Sequence, residues 1–236
     1  MRLALFGATG RAGGAILRES RAAGHDVQAL VRSPGPPGRH GPRVTVIAGD
    51  ARDPAATRRV IDGADAVVSA IGGTRPGNLA VLREGTATIL RAMQRAEVRR
   101  LIVIQGFHLP FPGDPDNLGA AAMRVMLRLW NRRLSADTYR MAEVLRESDL
   151  DWTLIRMPRL TIGPPGAGYR TGQLALGPWS TVITGQVAHF TLTCLDTSSF
   201  VRQAPMIASA RKHPRPARAP AGRHEPSPVP PNHPRS

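Results

Sequence analysis

The chain contains one cysteine, Cys194. An internal disulfide and a cysteine-rich zinc site are thereby excluded, and a lone thiol fits a reducing cytosol, where it serves as a small buried apolar residue. Long hydrophobic runs are also missing. The run Leu3 to Phe6 is stopped at once by Gly7, far short of a signal-peptide core or a membrane span, and no other stretch approaches that length. The expectation is a soluble, cytoplasmic protein without membrane contact. Aromatic residues make up only 4% and are not interleaved with positive charge, so the base-stacking platform of a single-strand binder is lacking. Acidic residues are outnumbered: 32 Lys+Arg face 17 Asp+Glu, for a formal charge of +15. Nucleic acid is still a poor fit, because outside one basic tail the excess is scattered arginine. An anionic ligand such as a phosphate-bearing cofactor accounts for part of it more economically. The stripe Arg124, Arg128 and Arg132, at helical spacing, reads as a solvated helix face rather than a membrane contact.

What is present is an alternation. "RLALF" (Arg2 to Phe6) reads as a buried strand, and "AGGAILRESRAAG" as a helix stopped at Gly24. "DVQALV" (Asp26 to Val31) and "RVTVIAG" (Arg43 to Gly49) are further strands. Asp53 and Pro54 open a helix as N-cap and first residue. "ADAVVSAIGG" is a fourth strand, Asn78 to Val98 a helix, and "RRLIVIQGF" a fifth strand. A helical region spans about Ala120 to Glu147, with a break suggested near Ser135-Ala136-Asp137. "DWTLIR" (Asp151 to Arg156) is a sixth strand, Pro158 to Gly177 is loop-rich, Gly185 to Leu195 is helical, and Ala204 to Ser209 is a last strand. Strands and helices alternating over short connections predict a doubly wound parallel sheet of the α/β class in a single domain, residues 1–210. Residues 211–236 hold six cations and one acid among prolines without apolar periodicity. They are expected to form a disordered basic tail.

The strongest motif is Gly7-Ala8-Thr9-Gly10-Arg11-Ala12-Gly13, between a strand and a helix. In that setting Gly7 permits a tight turn, Gly10 admits a pyrophosphate to the backbone, and Gly13 lets the helix pack closely, with phosphates at the helix N-terminus. The second strand ends in "LVRS". Arg32 stands where NAD binders commonly place a carboxylate, and Asp26 is at the other end, so NADP(H) is the expected cofactor. Arg39 or Arg43 is available as a second charge, and Asp50 as an acceptor for the adenine amino group or as a turn residue. At the carboxyl ends of the later strands lie Gly72 and Gly73, then Gln105-Gly106-Phe107, then Met157-Pro158-Arg159. Tyr139 is followed four residues later by Glu143, so the Tyr-x-x-x-Lys proton relay is absent. Gln105 donates hydrogen bonds but is no proton source.

The stretches "LFGATGRAGG", "LVRS", "AGD", "SAIGGTR", "REGTATILRAM", "RMAEVLRESDLDWTLIRMPRL" and "GPWSTVITGQVAHFTLTCL" together resemble the NADPH-dependent flavin reductases that include biliverdin-IXβ reductase, within the atypical short-chain dehydrogenases. The resemblance spans Met1 to about Ser209. It implies a Rossmann fold with cofactor residues Gly7, Thr9, Gly10, Arg11, Arg32 and Asp50, with Gly72 and Gly73 near the ribose, and a shallow pocket that accepts flavins or linear tetrapyrroles. The family carries a serine after strand five and a histidine after strand six. Here Gln105 and Arg159 stand there and become the candidate catalytic pair, with Phe107, Met157 and Trp179 as candidate walls. A histidine before the "RM" pair is replaced by Thr138, with Tyr139 following. Hydride transfer to a flavin needs positioning more than a dedicated acid. The expectation is an NADPH-dependent reductase, a monomer or weak dimer; the alternative is an NmrA-like sensor of the nicotinamide pool that binds without turnover.

Overall fold

The computed structural model describes residues 1–33, 41–72, 79–115, 121, 125, 132–166 and 168–210. The basic tail, Arg39, Gly73, Arg124 and Arg128 lie outside them. The apolar runs form the centre of an eight-stranded sheet, in which β1 (Arg2–Phe6), β4 (Ala66–Ser69), β5 (Arg100–Gly106) and β6 (Asp151–Met157) lie side by side. They are buried on both faces, so near-continuous hydrophobic sequence, rather than alternation, marks them. Outward from β1 come β2 (Asp26–Val31) and the half-exposed β3 (Val44–Ala48). The full order is β3-β2-β1-β4-β5-β6-β10-β8. All pairs are parallel except that of β10 (Met206–Ser209) with the edge strand β8 (Tyr169–Gly172).

Helices α1 (Arg11–Ala22) and α5 (Thr184–Asp196) pack together on one face of the sheet. On the other, α3 (Leu79–Arg95) lies between α2 (Pro54–Ile61) and α4 (Arg132–Glu147). Alternation along β5 divides the core accordingly. Ile102 and Ile104 face the α1 and α5 side, whereas Leu101 and Val103 face the other. Removing a side chain as buried as Ile102 would cost about 2–5 kcal/mol. Cys194, on α5, is fully buried as expected, and burial pushes its thiol up to about 11, against the opposing pull of Arg100.

The helix starts are chemical. Asp53 caps α2 by accepting from the Ala55 N–H at 2.9 Å, with Pro54 next to it. After α1, Gly24 takes φ +82°, as the expected stop requires. Two expectations need correction. Helix α4 runs unbroken through Ser135-Ala136-Asp137, since those residues are only mildly unfavourable in a helix and Asp137 reaches Arg83 of α3 at 4.0 Å. The segment after β6 is not merely loop. It contributes β7 (Arg159–Thr161) and β8, and β7 pairs in parallel with β9 (Thr181–Ile183) as a separate two-stranded ribbon.

Candidate functional site

The glycine turn joins β1 to α1 at the carboxyl edge of the sheet. Gly7 sits at φ +82°, and a Cβ there would come within 2.6 Å of the Ala70 carbonyl oxygen. A Cβ on Gly13 would run into the Gly7 carbonyl, so α1 approaches the turn as closely as it does only with glycine at 13. Gly10 is the N-cap of α1, donates its own N–H to Gly7 at 3.0 Å, and offers no side chain to the helix. The first-turn N–H groups therefore lack both an intrahelical acceptor and a capping side chain, which suits an anionic group. Thr9 is exposed beside them. The Arg11 guanidinium donates to the Leu160 carbonyl at 3.2 Å, tying the glycine turn to β7.

At the ends of β2 and β3 the charges differ from expectation. Arg43 pairs with Asp26 at 3.3 Å, at the amino end of the strands, and so cannot supply a second cation beside Arg32. Arg52 can. Its backbone N–H and Nε donate to Asp50 Oδ1 at 2.9 Å and its Nη2 to Oδ2 at 3.0 Å. The Arg52 hydrogen bond holds the Asp50 carboxyl below its ordinary range, partly offset by burial and helped by the field of Arg32. Arg32 itself is exposed. The sequence signal for Arg52 was its place two residues after Asp50 on the turn leading to α2.

Strands β4, β5 and β6 end around the remaining candidates. Gly72 is exposed. Gln105 is buried, donates through Nε2 to the Ile71 carbonyl at 3.3 Å, and is in register with Arg156. Arg159 lies exposed on the ribbon, and its guanidinium makes no hydrogen bond or ion pair among the described residues. No hydrogen bond joins Gln105 to Arg159. Phe107 packs on Leu176, Met206 and Ala208, Met157 packs against the α1 and α5 side of the core, and Trp179 is 88% exposed. Tyr139 packs into the core on the α3 and α4 side, and Glu143 forms no ion pair among the described residues.

Three further residues escaped the sequence reading. Arg156 is fully buried and donates to Asp114 through both terminal nitrogens at 2.6 Å, to the Leu109 carbonyl at 2.9 Å, to the Ala204 carbonyl at 2.7 and 2.9 Å, and to Gln173 at 3.3 Å. Asp114 also accepts from the Phe111 N–H at 2.8 Å, so the pair holds down the segment that follows β5. That segment places His108 against Gly106, where a Cβ would come within 2.6 Å of the imidazole. Burial lowers the His108 pKa from its ordinary value. Among the described residues no cluster of His, Cys, Asp or Glu is able to hold a metal, and no helix is long and apolar enough to cross a membrane.

Comparison with known proteins gives this geometry its family. The anaerobillin reductase ChuY of Escherichia coli O157:H7 superposes with a TM-score of 0.73 at 18% identity, over 91% of this chain and 100% of that one. A Streptococcus pneumoniae TIGR4 protein described as an NADH-flavin reductase gives 0.66 at 20%, over 89% and 100%. A short-chain dehydrogenase/reductase of Veillonella parvula DSM 2008, solved with NADP, gives 0.67 at 20%, over 90% and 96%. These likenesses establish the fold. The family model for NAD(P)H-binding proteins matches residues 7–198, from the first glycine of the turn to the end of α5 and just beyond. With most of its length matched, the chain belongs to the NAD(P)H-binding family.

Proposed function

We propose that this protein is an NADPH-dependent reductase that delivers hydride to a flavin or a similar conjugated acceptor, such as a linear tetrapyrrole. The observation that carries the proposal is the uncapped glycine turn with two arginines, Arg32 and Arg52, at the neighbouring strand ends, together with a sheet edge that lacks a Tyr-Lys relay. Gly7, Gly10 and Gly13 shape the turn for the pyrophosphate, Thr9 and Arg11 flank it, and Gly72 lies toward the ribose. Arg32, with Arg52 behind it, faces the 2′-phosphate, which is the basis for NADPH over NADH, and Asp50 is steered by Arg52 toward the adenine side.

Bound NADPH supplies the hydride. The residues supply position. Gln105, fixed by the Ile71 carbonyl, presents its amide at the end of β5, and Arg159 stands on the ribbon opposite as a charged handle for the acceptor. An acceptor that takes its proton from water needs no more than this, which fits a site without a dedicated acid. Support also comes from the flavin and tetrapyrrole reductases that share the fold. NADPH oxidation measured with FMN, FAD, riboflavin and biliverdin tests the proposal, and no acceleration by any of them refutes it.

One observation favours the second reading, a nicotinamide sensor of the NmrA type. The amide of Gln105 is already engaged by Ile71, and Arg159 is exposed to solvent. Tight NADPH binding without turnover on the whole acceptor panel identifies that case.

A further inference from the structure

Beside the sheet edge lies a cleft of about 570 Å³, within the range of small-molecule sites. One wall is the exposed face of the β7–β9 ribbon, with Thr161 and its register partner Ile183, and Thr181. The other is the β8–β10 pair, where Arg170 stands opposite Ala208. Trp179 closes the rim. No acidic residue lines the cleft, and the Arg170 guanidinium makes no hydrogen bond or ion pair among the described residues. Both walls connect to the cofactor side. Ala208 belongs to the small apolar cluster on which Phe107 packs, directly after the β5 end, and the ribbon is held to the glycine turn by the bond from Arg11 to Leu160. The wall that carries Arg170 and Ala208 is thus joined through this cluster and Phe107 to the end of β5.

We propose that this cleft is a subsite for an anionic, planar acceptor, in which Arg170 pairs with the acceptor's phosphate or carboxylate and Trp179 stacks on its conjugated face. The chemistry is complementary. An uncompensated guanidinium in an acid-free cleft attracts an anion, and α5 begins directly behind Ile183 with the positive end of its dipole. An indole 88% exposed beside that charge offers a stacking surface that no part of the described chain covers. The inference rests on the reductase assignment for its acceptor class but is tested by binding alone.

The full-length protein is titrated at equilibrium, with NADP⁺ present, against two matched pairs. FMN and riboflavin differ by a phosphate; biliverdin and its dimethyl ester differ by two carboxylates. The expected result is a preference of about 10-fold for the anionic member of at least one pair, the size of one charge-assisted contact. The pair showing it identifies phosphate or carboxylate as the recognised group. Arg170→Gln should abolish the preference without weakening the uncharged member, and Arg170→Lys should keep part of it. Trp179→Ala should weaken both members of a pair alike. Arg95→Gln, on the last turn of α3, should change nothing and so controls for the general positive charge. All three substituted side chains are exposed, and unchanged melting curves verify that the fold survives. Equal affinity within both pairs, or a preference that persists in Arg170→Gln, overturns the proposal. Turnover separates the two ideas: charge-selective binding without NADPH oxidation removes the reductase and leaves the subsite, whereas NADPH oxidation with these acceptors and no preference within either pair does the reverse.

Discussion

Removing the carboxylate of Asp114 should be among the most damaging single changes away from the glycine turn. Arg156 is 0% exposed, and among the described residues its charge is balanced by one acid, at 2.6 Å from both terminal nitrogens. The Leu109, Ala204 and Gln173 oxygens would remain in Asp114→Ala, but they are neutral acceptors and leave a buried cation uncompensated. Breaking such a pair costs about 3–5 kcal/mol. Asp114→Asn keeps the volume and one acceptor, so its loss should be smaller, about 2–3 kcal/mol, the worth of hydrogen bonds to a charged group. At roughly 2–4 °C per kcal/mol for a domain of this size, Asp114→Ala should lower Tm by about 6–20 °C. Urea denaturation gives the free energies, and scanning calorimetry gives the Tm. A cost below about 1 kcal/mol for Asp114→Ala, with an unchanged m-value, would refute the view that Arg156 depends on this partner.

Three other outcomes follow from the site. Arg32→Asp should weaken NADPH binding by about 10- to 100-fold, the worth of one or two charged contacts, while NADH changes little; equal losses in a cofactor titration would remove Arg32 from the 2′-phosphate. Gly13→Ala forces a Cβ against the Gly7 carbonyl and should destabilise the protein by about 1–3 kcal/mol while weakening both nicotinamide cofactors; unaltered stability and affinity by denaturation and titration would contradict the packing described for the turn. His108 has a lowered pKa in the folded protein, so the folded state binds fewer protons there than the unfolded chain does. Its contribution is thus fully present above its ordinary value of 6.5 and is lost as pH falls below it toward the depressed value. His108→Gln should flatten the dependence of Tm on pH over that window, and an unchanged slope would show that His108 is not desolvated.

The element order was legible because buried parallel strands advertise themselves as apolar runs, such as Val67-Val68 and Leu101 to Ile104, and because Asp53-Pro54 and Gly24 mark helix ends locally. The glycine turn was legible for the same reason: its constraints on Gly7, Gly10 and Gly13 act within seven residues of sequence. What stayed hidden depends on distant pairing. Strands β7, β8 and β9 are three or four residues long and exist through their register with each other or with β10, so no local pattern distinguishes them from loop. Arg156 reads as one more surface arginine until Asp114, 42 residues earlier, is brought against it. Arg43 stayed an open option for a second charge because its place at the amino end of β3 is set by that strand's pairing with β2. His108 carries no motif, and its interest comes from the missing side chain of Gly106 next to it.

The ribbon of β7 and β9 shares no ladder with the eight-stranded sheet. Its buried positions, Leu160 and Val182, anchor it, while Arg159, Thr161 and Thr181 are not buried. Exchanges at those outward positions disturb neither the sheet register nor the glycine turn, so their stability costs should be small and close to additive. Evolution can therefore retune what the protein accepts by editing a few ribbon residues, with the cofactor half of the molecule left as it is.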